Sequence, residues 1–179
     1  MRVVAGTLGG RRLQAPPGLD TRPTGDRVRE SLFSILGPLH GAVVLDLFAG
    51  TGALGIEALS RGAAHATFVE RDRRAHDALR ANLDALELGD ERATAVRGDA
   101  RRHLRDAAAR GDAYDLVLLD PPYRDGDRLA PVLDAGLRPL LRPGARVVTE
   151  SDRRAPLTLD LGDADERRYG DTLIRIHRP

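Results

Sequence analysis

The segment that ends at residue 123 carries the most informative chemistry in the chain. Asp120 follows an apolar run and is itself followed by Pro121, Pro122 and Tyr123. Two prolines remove two backbone donors and hold the chain extended, so that carbonyl acceptors lie beside the carboxylate. Such an array receives an amino group: Asp120 accepts one N–H and the Pro121 carbonyl accepts the other.

An exocyclic amino group of a nucleic-acid base suits this array. Its nitrogen is a poor nucleophile, because its lone pair is delocalised into the ring. Aligned acceptors favour the pyramidal nitrogen and stabilise positive charge as a methyl group arrives. Tyr123 is placed to stack on a base taken out of its duplex or loop. The segment therefore predicts methyl transfer to a base amine, and it does not distinguish adenine N6 from guanine N2.

A glycine turn and three acidic residues predict a cofactor pocket. Gly50 and Gly52 let backbone N–H groups approach a ligand, at the kind of strand end where open α/β sheets bind nucleotides. Asp46 would repel a pyrophosphate but suits the ammonium and sulfonium of S-adenosylmethionine. Glu70 is placed to accept ribose hydroxyls, and Asp99 lies within reach of an adenine amino group. The three acids could instead be helix N-caps or turn residues, but their recurrence at consecutive strand ends favours the pocket.

Elements that could position these residues follow from the hydrophobic pattern. Apolar runs typical of strands alternate with helical patterns, which predicts a parallel sheet covered on both sides. The predicted strands are 42–48, 66–69, 93–97, 115–119 and 145–149, and the helices are 26–36, 53–61, 72–88, 100–110 and 128–141. The segments 166–169 and 172–177 read as a closing antiparallel hairpin.

The N-terminal segment is glycine-rich and basic. Residues 2–5 and 11–14 flank three glycines, a pattern that predicts a short β-hairpin. Residues 1–29 hold six arginines against two acids, a local excess of +4, which favours a polyanionic partner. We expect residues 1–20 to form a basic extension and residues 21–179 to form one α/β domain.

Composition excludes several kinds of site. The 179 residues include no cysteine, and all 28 basic residues are arginine, so thiolate metal sites and lysine Schiff bases are excluded. The five histidines show no ligand spacing, and no apolar run approaches the roughly 20 residues of a membrane span. These features predict a cytoplasmic protein without metal or membrane contact, a monomer rather than an obligate oligomer.

Several motifs resemble known methyltransferases. The segments DLFAGTG (46–52) and DPPY (120–123) resemble the amino-methyltransferases of class I. The segments TRPTGDRVRESLF (21–33), GIEALSRGA (55–63) and RRYG (167–170) are more specific. Over nearly its whole length the chain is similar to the bacterial 16S rRNA guanine-N2 methyltransferases, the RsmD family.

This resemblance implies a fold, a cofactor and a substrate. The fold is α/β: a doubly wound, mostly parallel seven-stranded sheet with a C-terminal antiparallel hairpin and a small N-terminal β-hairpin. The cofactor is S-adenosylmethionine, and the substrate is a guanine amino group of 16S rRNA, free or in the assembling 30S subunit. The implied catalytic residues are Asp120, Pro121, Pro122 and Tyr123. The implied cofactor residues are Arg22, Thr24, Asp46, Phe48, Gly50, Thr51, Gly52, Glu70, Arg71, Asp99 and Ala100. The residues expected to bind RNA are Arg2, Arg11, Arg12 and Arg27.

Three alternatives remain open at this point. An adenine-N6 methyltransferase of DNA or RNA would use the same acceptors, although the chain has little room for a target-recognition domain. A nucleic-acid-binding module without turnover would have no reason to keep every motif intact. A dehydrogenase would place a pyrophosphate beside Asp46 and leave the Asp-Pro-Pro-Tyr segment unexplained.

Overall fold

The computed structural model describes residues 1–16, 25–122 and 126–179, with the side chains of residues 126 and 127 excepted. Three predicted site residues, Arg22, Thr24 and Tyr123, lie outside the described residues. None of the helices described is long and apolar enough to cross a bilayer.

A seven-stranded sheet forms the centre of the described structure. Five strands run parallel and two C-terminal strands run antiparallel, in the order β3-β2-β1-β4-β5-β7-β6. The strands are β1 (Val43–Asp46), β2 (His65–Glu70), β3 (Ala93–Arg97), β4 (Tyr114–Leu119), β5 (Leu141–Asp152), β6 (Ala164–Tyr169) and β7 (Thr172–His177). The strand order reverses between β1 and β4, and the crevice at such a switch point is where open α/β sheets bind ligands. The predicted fold class is confirmed.

Helices cover both faces of this sheet. They are α1 (Asp26–Leu36), α2 (Ala53–Ser60), α3 (Arg73–Ala85), α4 (Ala100–Arg110) and α5 (Gly126–Leu137), and a short 3-10 turn (Arg138–Leu140) follows α5. Alternate strand residues point to opposite faces. Val44, Leu118 and Val148 pack in the cluster that includes α1, α2 and α3, whereas Val117 and Val147 pack with α4 and α5. We call the first of these the α1–α3 face.

The N-terminal segment forms a minimal version of the predicted hairpin. Residues 2–5 and 11–14 are joined by one antiparallel bridge, Arg2 to Arg12, and the N–H groups of Val3 and Leu13 donate to the carbonyls of Arg11 and Met1. Side chains of α2 attach this hairpin to the sheet domain. Glu57 accepts from the N–H groups of Val4 (2.7 Å) and Ala5 (3.1 Å). The segment is thus held both by its own backbone hydrogen bonds and by helix α2.

Two helix ends differ from their predictions. Helix α3 ends at Ala85, three residues early, and the chain then turns through Glu87 at a φ of 57° so that Leu86 and Leu88 reach the core. Helix α5 ends at Leu137, where a 3-10 turn begins at Arg138 and contains Pro139, and β5 then starts at residue 141. In both places burial of apolar side chains or a proline overrides the helical period.

Candidate active site

Three acidic side chains project from neighbouring strands onto the α1–α3 face. Asp46 ends β1, Asp120 directly follows β4, and Glu150 lies on β5. Asp46 pairs with Leu118 in the parallel register, and Leu119 pairs with Thr149, so one further step sets Asp120 opposite Glu150. All three are even-numbered, like the Val44, Leu118 and Val148 side chains that face α1–α3. We call Asp46, Asp120 and Glu150 the acidic row.

Asp46 is buried with half of its carboxylate satisfied. The residue is 1% exposed, and Oδ2 accepts a hydrogen bond of 2.9 Å from the N–H of Gly55, in the first turn of α2. Oδ1 has no hydrogen-bond partner in the described part of the chain. Burial raises the pKa of Asp46 to about 7; the Gly55 bond opposes this shift, and the charge of Glu70 adds to it. Asp46 therefore has one buried acceptor oxygen that no described residue satisfies.

The glycine turn depends on left-handed backbone. Gly50 and Gly52 have φ values of 54° and 88°. A Cβ at Gly52 would lie 2.5 Å from a methyl group of Leu79, while a Cβ at Gly50 would meet nothing within 4 Å. Gly52 is therefore fixed by conformation and packing, whereas Gly50 borders open space that a ligand can enter.

Glu70 supports the turn from the end of β2. Its Oε2 accepts from the N–H of Gly50 at 2.8 Å and its Oε1 from the N–H of Asp72 at 2.7 Å. The N-cap of α3 is Asp72, whose side chain accepts from Ala75. Each Glu70 oxygen has a second lone pair, so these bonds leave it able to accept from a ligand.

Asp99 is a helix N-cap, the structural role that the sequence left open for Asp46, Glu70 and Asp99. It is the N-cap of α4, and its Oδ1 accepts from the N–H groups of Arg101 and Arg102. The residue is exposed at the same edge of the sheet as Glu70, since β3 pairs with β2. Oδ2 has no hydrogen bond to the rest of the described chain, so a cap does not preclude a ligand contact.

Asp120 is partly exposed as a residue, yet its carboxyl group is desolvated. Burial raises the pKa of Asp120 well above its usual range, and the negative charges of Glu150 and Asp46 raise it further. Pro121 is buried and Pro122 is exposed directly after it. The strand end therefore offers a desolvated carboxyl group and proline carbonyls at the switch point, beside Asp46.

The remaining described residues of the predicted cofactor set follow the ends of β1, β2 and β3. Phe48 is partly buried against the α4–α5 side of the core, and Ala100 is the buried first residue of α4. Thr51 is buried, and its carbonyl accepts from the Asn82 amide at 3.0 Å. Arg71 is exposed after β2.

The predicted RNA-binding arginines all lie at the surface. Arg2 pairs with Asp26 at 3.4 Å, and Arg11 donates to the carbonyl of Ala85 at 2.7 Å. Arg12 and Arg27 make neither a hydrogen bond nor an ion pair with described residues. Arg2 and Arg12 also line a surface hollow of about 550 Å³.

Among the buried charged residues that the structure describes, Glu150 and Arg29 near the site were not predicted from the sequence. Glu150 is 2% exposed and Arg29 is 0% exposed. The predicted fifth strand ended at residue 149, one position before Glu150, although an acid after an apolar strand was the signal already used for Asp46 and Asp120. Arg29 gives no comparable signal, because it was counted with the arginines of the basic N-terminal region. It donates to the carbonyl of Arg2 and to Asp26.

The sheet order, the glycine turn and the acids at successive strand ends define the class I methyltransferase fold. Solved structures agree with that class. "Putative methyltransferase yhhF from Escherichia coli" is 38% identical, with a TM-score of 0.83 over 99% of this chain and 97% of that one. "SMU.776, a putative methyltransferase complexed with SAH" is 19% identical, with a TM-score of 0.67 over 86% of this chain and 49% of that one, and supports the fold alone.

Sequence relatives give the family. The family described as Conserved hypothetical protein 95 matches residues 1–178. A Bacillus subtilis relative, "Putative rRNA methyltransferase YlbH", is 42% identical over 99% of this chain and 98% of its own length. The Haemophilus influenzae ribosomal RNA small subunit methyltransferase D is 35% identical over 88% of this chain and 81% of its own. The chain belongs to this family, the RsmD family of class I methyltransferases.

Proposed function

We propose that this protein transfers a methyl group from S-adenosylmethionine to the exocyclic N2 of a guanine in 16S rRNA. The observation that carries the proposal is the acidic row at the β1–β4 switch point, with Asp120 next to the Pro121 carbonyl. The names of the relatives support ribosomal RNA as the substrate class, and the small subunit in particular.

The residues around the glycine turn fit S-adenosylmethionine. The unpaired Oδ1 of Asp46 is a buried acceptor that an ammonium group would satisfy. Gly50 borders open space beside the carboxylate of Glu70, which suits a ribose. We assign Asp99, Phe48, Thr51, Arg71 and Ala100 to the rest of the pocket, with Arg22 and Thr24 at its border. When bound, the cofactor supplies a methyl group on a cationic sulfur.

The residues of the chain position the nucleophile and accept its hydrogens. Asp120 accepts one N–H of the amine and the Pro121 carbonyl accepts the other, which directs the nitrogen lone pair along the line of methyl transfer. The raised pKa of Asp120 suits a carboxylate that takes one proton from the amine as the nitrogen–methyl bond forms, so that the methylated amine leaves neutral. Tyr123 stacks on the extruded base in this proposal.

RNA is held by the basic surface of the N-terminal segment. Arg2, Arg12 and Arg27 are exposed, and guanidinium groups bind phosphates without reading sequence. A ribosomal substrate places the enzyme in the cytoplasm, acting as a monomer on naked rRNA or on the assembling 30S subunit.

The test is methylation of defined substrates by the purified protein. Small ribosomal subunits and 16S rRNA from a strain without this activity are incubated with labelled S-adenosylmethionine, and the nucleosides are separated by mass spectrometry. We expect label in N2-methylguanosine. Label in N6-methyladenosine, or in DNA alone, would replace the proposal with the adenine alternative.

A further inference from the structure

We propose that a second arginine surface, at the rim of the cofactor pocket, holds the RNA so that bound RNA covers the pocket. The surface consists of Arg71, Arg97 and Arg101, which we call the rim arginines. The inference rests on the proposed function and deepens it, because it gives the course of the RNA across the site and the order in which the two substrates bind.

The rim arginines lie where β2 and β3 end. Arg71 directly follows β2, Arg97 is the last residue of β3, and Arg101 is in the first turn of α4. Arg97 lies opposite Glu70 in the register of β2 and β3. Because β1, β2 and β3 run parallel, these strand ends share one edge of the sheet with the glycine turn. The rim arginines therefore border the proposed ribose end of the pocket.

The guanidinium groups of the rim arginines are available to a ligand. All three residues are exposed, and their side chains have no hydrogen bond or ion pair with the part of the chain that the structure describes. The neighbouring acids are engaged by backbone donors instead, since both oxygens of Glu70 accept N–H groups and Asp99 caps α4. Exposed guanidinium groups without an acidic partner are well suited to phosphates.

The cofactor itself does not account for these cations. S-adenosylmethionine carries its negative charge on the carboxylate of its methionine end, which the proposed pocket sets on the side of Asp46, and its adenosine end is uncharged. Residues 92–105 nevertheless hold five arginines against one acid, an excess of +4 within 14 residues. A positive surface of this density beside a neutral ligand group favours a second, polyanionic ligand.

The distance to the reacting base suits one continuous RNA strand. In the sheet order β3 is the third strand from β4, so at about 4.8 Å per strand its end lies about 14 Å from Asp120. Stacked nucleotides rise about 3.4 Å each, so about four of them span this distance. RNA held at Asp120 and at the rim arginines crosses the ends of β1 and β2, above the glycine turn. The cofactor must then bind before the RNA, and S-adenosylhomocysteine must leave after it.

The first test measures how fast S-adenosylhomocysteine leaves the protein. Dissociation of the labelled compound is followed after addition of an unlabelled excess, alone and with a saturating amount of the 16S rRNA or small subunit that the wild-type protein methylates. We expect RNA to slow dissociation at least about tenfold in the wild type, and less than about threefold in Arg97→Ala combined with Arg101→Ala. Without RNA the two proteins should release the compound at equal rates, which shows that the variant is folded.

The matched control is Arg105→Ala combined with Arg153→Ala, which removes two exposed arginines elsewhere on the surface. In this variant RNA should slow dissociation as much as in the wild type. The comparison separates the position of the charges from their number.

A second test locates the RNA without using catalysis. Because the chain has no cysteine, one introduced cysteine can carry a photo-crosslinker at a single position. Arg102→Cys sets it beside Arg101, and Ala109→Cys sets it near the far end of the same helix, about 10 Å away; both positions are exposed. We expect Arg102→Cys to crosslink to nucleotides close to the methylated guanine, and Ala109→Cys to give much weaker crosslinks.

Two results would overturn the role of the rim arginines. One is equal crosslinking from both cysteine positions. The other is dissociation of S-adenosylhomocysteine that RNA does not slow in the wild type, or slows equally in the wild type and in the Arg97→Ala, Arg101→Ala variant. A wild-type protein that methylates neither 16S rRNA nor small subunits contradicts the proposed function itself, which is a distinct result.

Discussion

Burying three carboxyl groups side by side costs the folded protein stability unless a cation or a proton compensates them. In the acidic row, Asp46 and Asp120 both have raised pKa values, chiefly because of burial. Structural ion pairs usually lower the pKa of an acid, so shifts in this direction at a sheet switch point are typical of functional groups. Compensation is expected from the cationic cofactor and from the hydrogens of a base.

Loss of the Asp120 carboxyl group should separate catalysis from cofactor binding. Asp120→Ala removes an acceptor that acts on the amine and not on the cofactor. We expect kcat on small subunits to fall about 10²–10³-fold, in the range seen when one group aligned with the transition state is removed. Calorimetry should show S-adenosylmethionine affinity within threefold of wild type.

Asp163→Asn serves as the exposed control for this comparison and should be as active as wild type. If Asp120→Ala loses cofactor binding together with turnover, Asp120 maintains the fold of the pocket and does not hold the amine.

Cofactor binding should tighten as the pH rises through 7. The pKa of Asp46 is about 7 in the free protein, so below pH 7 it is mostly protonated and cannot pair with an ammonium group. Between pH 6 and pH 8 we expect the affinity for S-adenosylhomocysteine to increase about tenfold, with release of a proton on binding at the lower pH. Calorimetry in buffers of different ionisation enthalpy measures both quantities.

Asp46→Asn is the matched variant, because its amide oxygen can still accept from Gly55 but does not titrate. Its affinity should be weaker and independent of pH over this interval. An unchanged pH dependence in Asp46→Asn would assign the titration to another group.

At the scale of the elements, side chains of α2 attach the N-terminal segment to the sheet domain. Glu57 of α2 is fully buried and accepts from Val4 and Ala5, and it also receives a bond of 2.7 Å from Arg61. Ser60, one turn later on α2, accepts from the N–H of Leu8. Because Arg2, Arg11 and Arg12 lie on this segment, α2 sets where the basic surface stands relative to the acidic row.

Glu57→Gln should destabilise this attachment. The glutamine amide keeps one acceptor oxygen, but its NH2 group would face one of the backbone N–H groups of Val4 or Ala5 in a buried position. The substitution also removes the negative charge that pairs with Arg61. We expect the free energy of unfolding in urea to fall by about 2–4 kcal/mol.

Glu30→Gln, an exposed position on α1, should change the free energy of unfolding by less than about 0.5 kcal/mol. A Glu57→Gln protein as stable as this control would mean that the segment is held by its apolar contacts, through Val3 and Leu13, and not by the carboxylate.

The sequence predicted the elements that local interactions form. It did not predict contacts between residues that are far apart along the chain. Strands β1 to β4 were located to within two residues, because apolar runs between turn residues are a local signal. The N-terminal hairpin was predicted but its attachment to α2 was not, since Glu57 lies more than 50 residues away along the chain and no local pattern shows that it accepts from Val4 and Ala5.

The site was predictable where chemistry coincides with a strand end. Asp46 and Asp120 were found in this way, and the acid at β5 was missed by one residue in a strand boundary. Asp99 shows what the sequence could not decide. An aspartate directly before a helix can be an N-cap or can accept from a ligand, and the two roles call for the same residue type at the same position. The pairing of Asp120 with Glu150 comes from strand register, which connects residues 30 positions apart and is set by tertiary structure.

At the scale of the whole molecule, charge is distributed unevenly on a chain of net charge +1. The N-terminal segment and the start of α1 present exposed arginines, of which Arg12 and Arg27 have no partner among the described residues. Such a surface steers a polyanion toward the site without selecting its sequence.

Removing these two charges should weaken RNA binding and reduce its salt dependence. For Arg12→Ala combined with Arg27→Ala we expect the slope of log K against log salt concentration to decrease in magnitude by about 2, since each arginine that neutralises a phosphate adds roughly one to that slope. Cofactor affinity should not change. Filter binding to 16S rRNA across a salt series measures the slope.

The control pair is Arg105→Ala with Arg153→Ala, two exposed arginines on α4 and after β5. An equal decrease of slope in both pairs would show that the overall charge, and not the N-terminal surface, attracts the RNA.

The most direct test of the central claim is a comparison of 16S rRNA from cells with and without the gene for this protein, by mass mapping of nuclease fragments. The account predicts that one N2-methylguanine disappears with the gene, is restored by the wild-type protein and is not restored by Asp120→Ala. Intact methylation of the 16S rRNA in the deletion strain, or the disappearance of a methyl group from adenine, would contradict it.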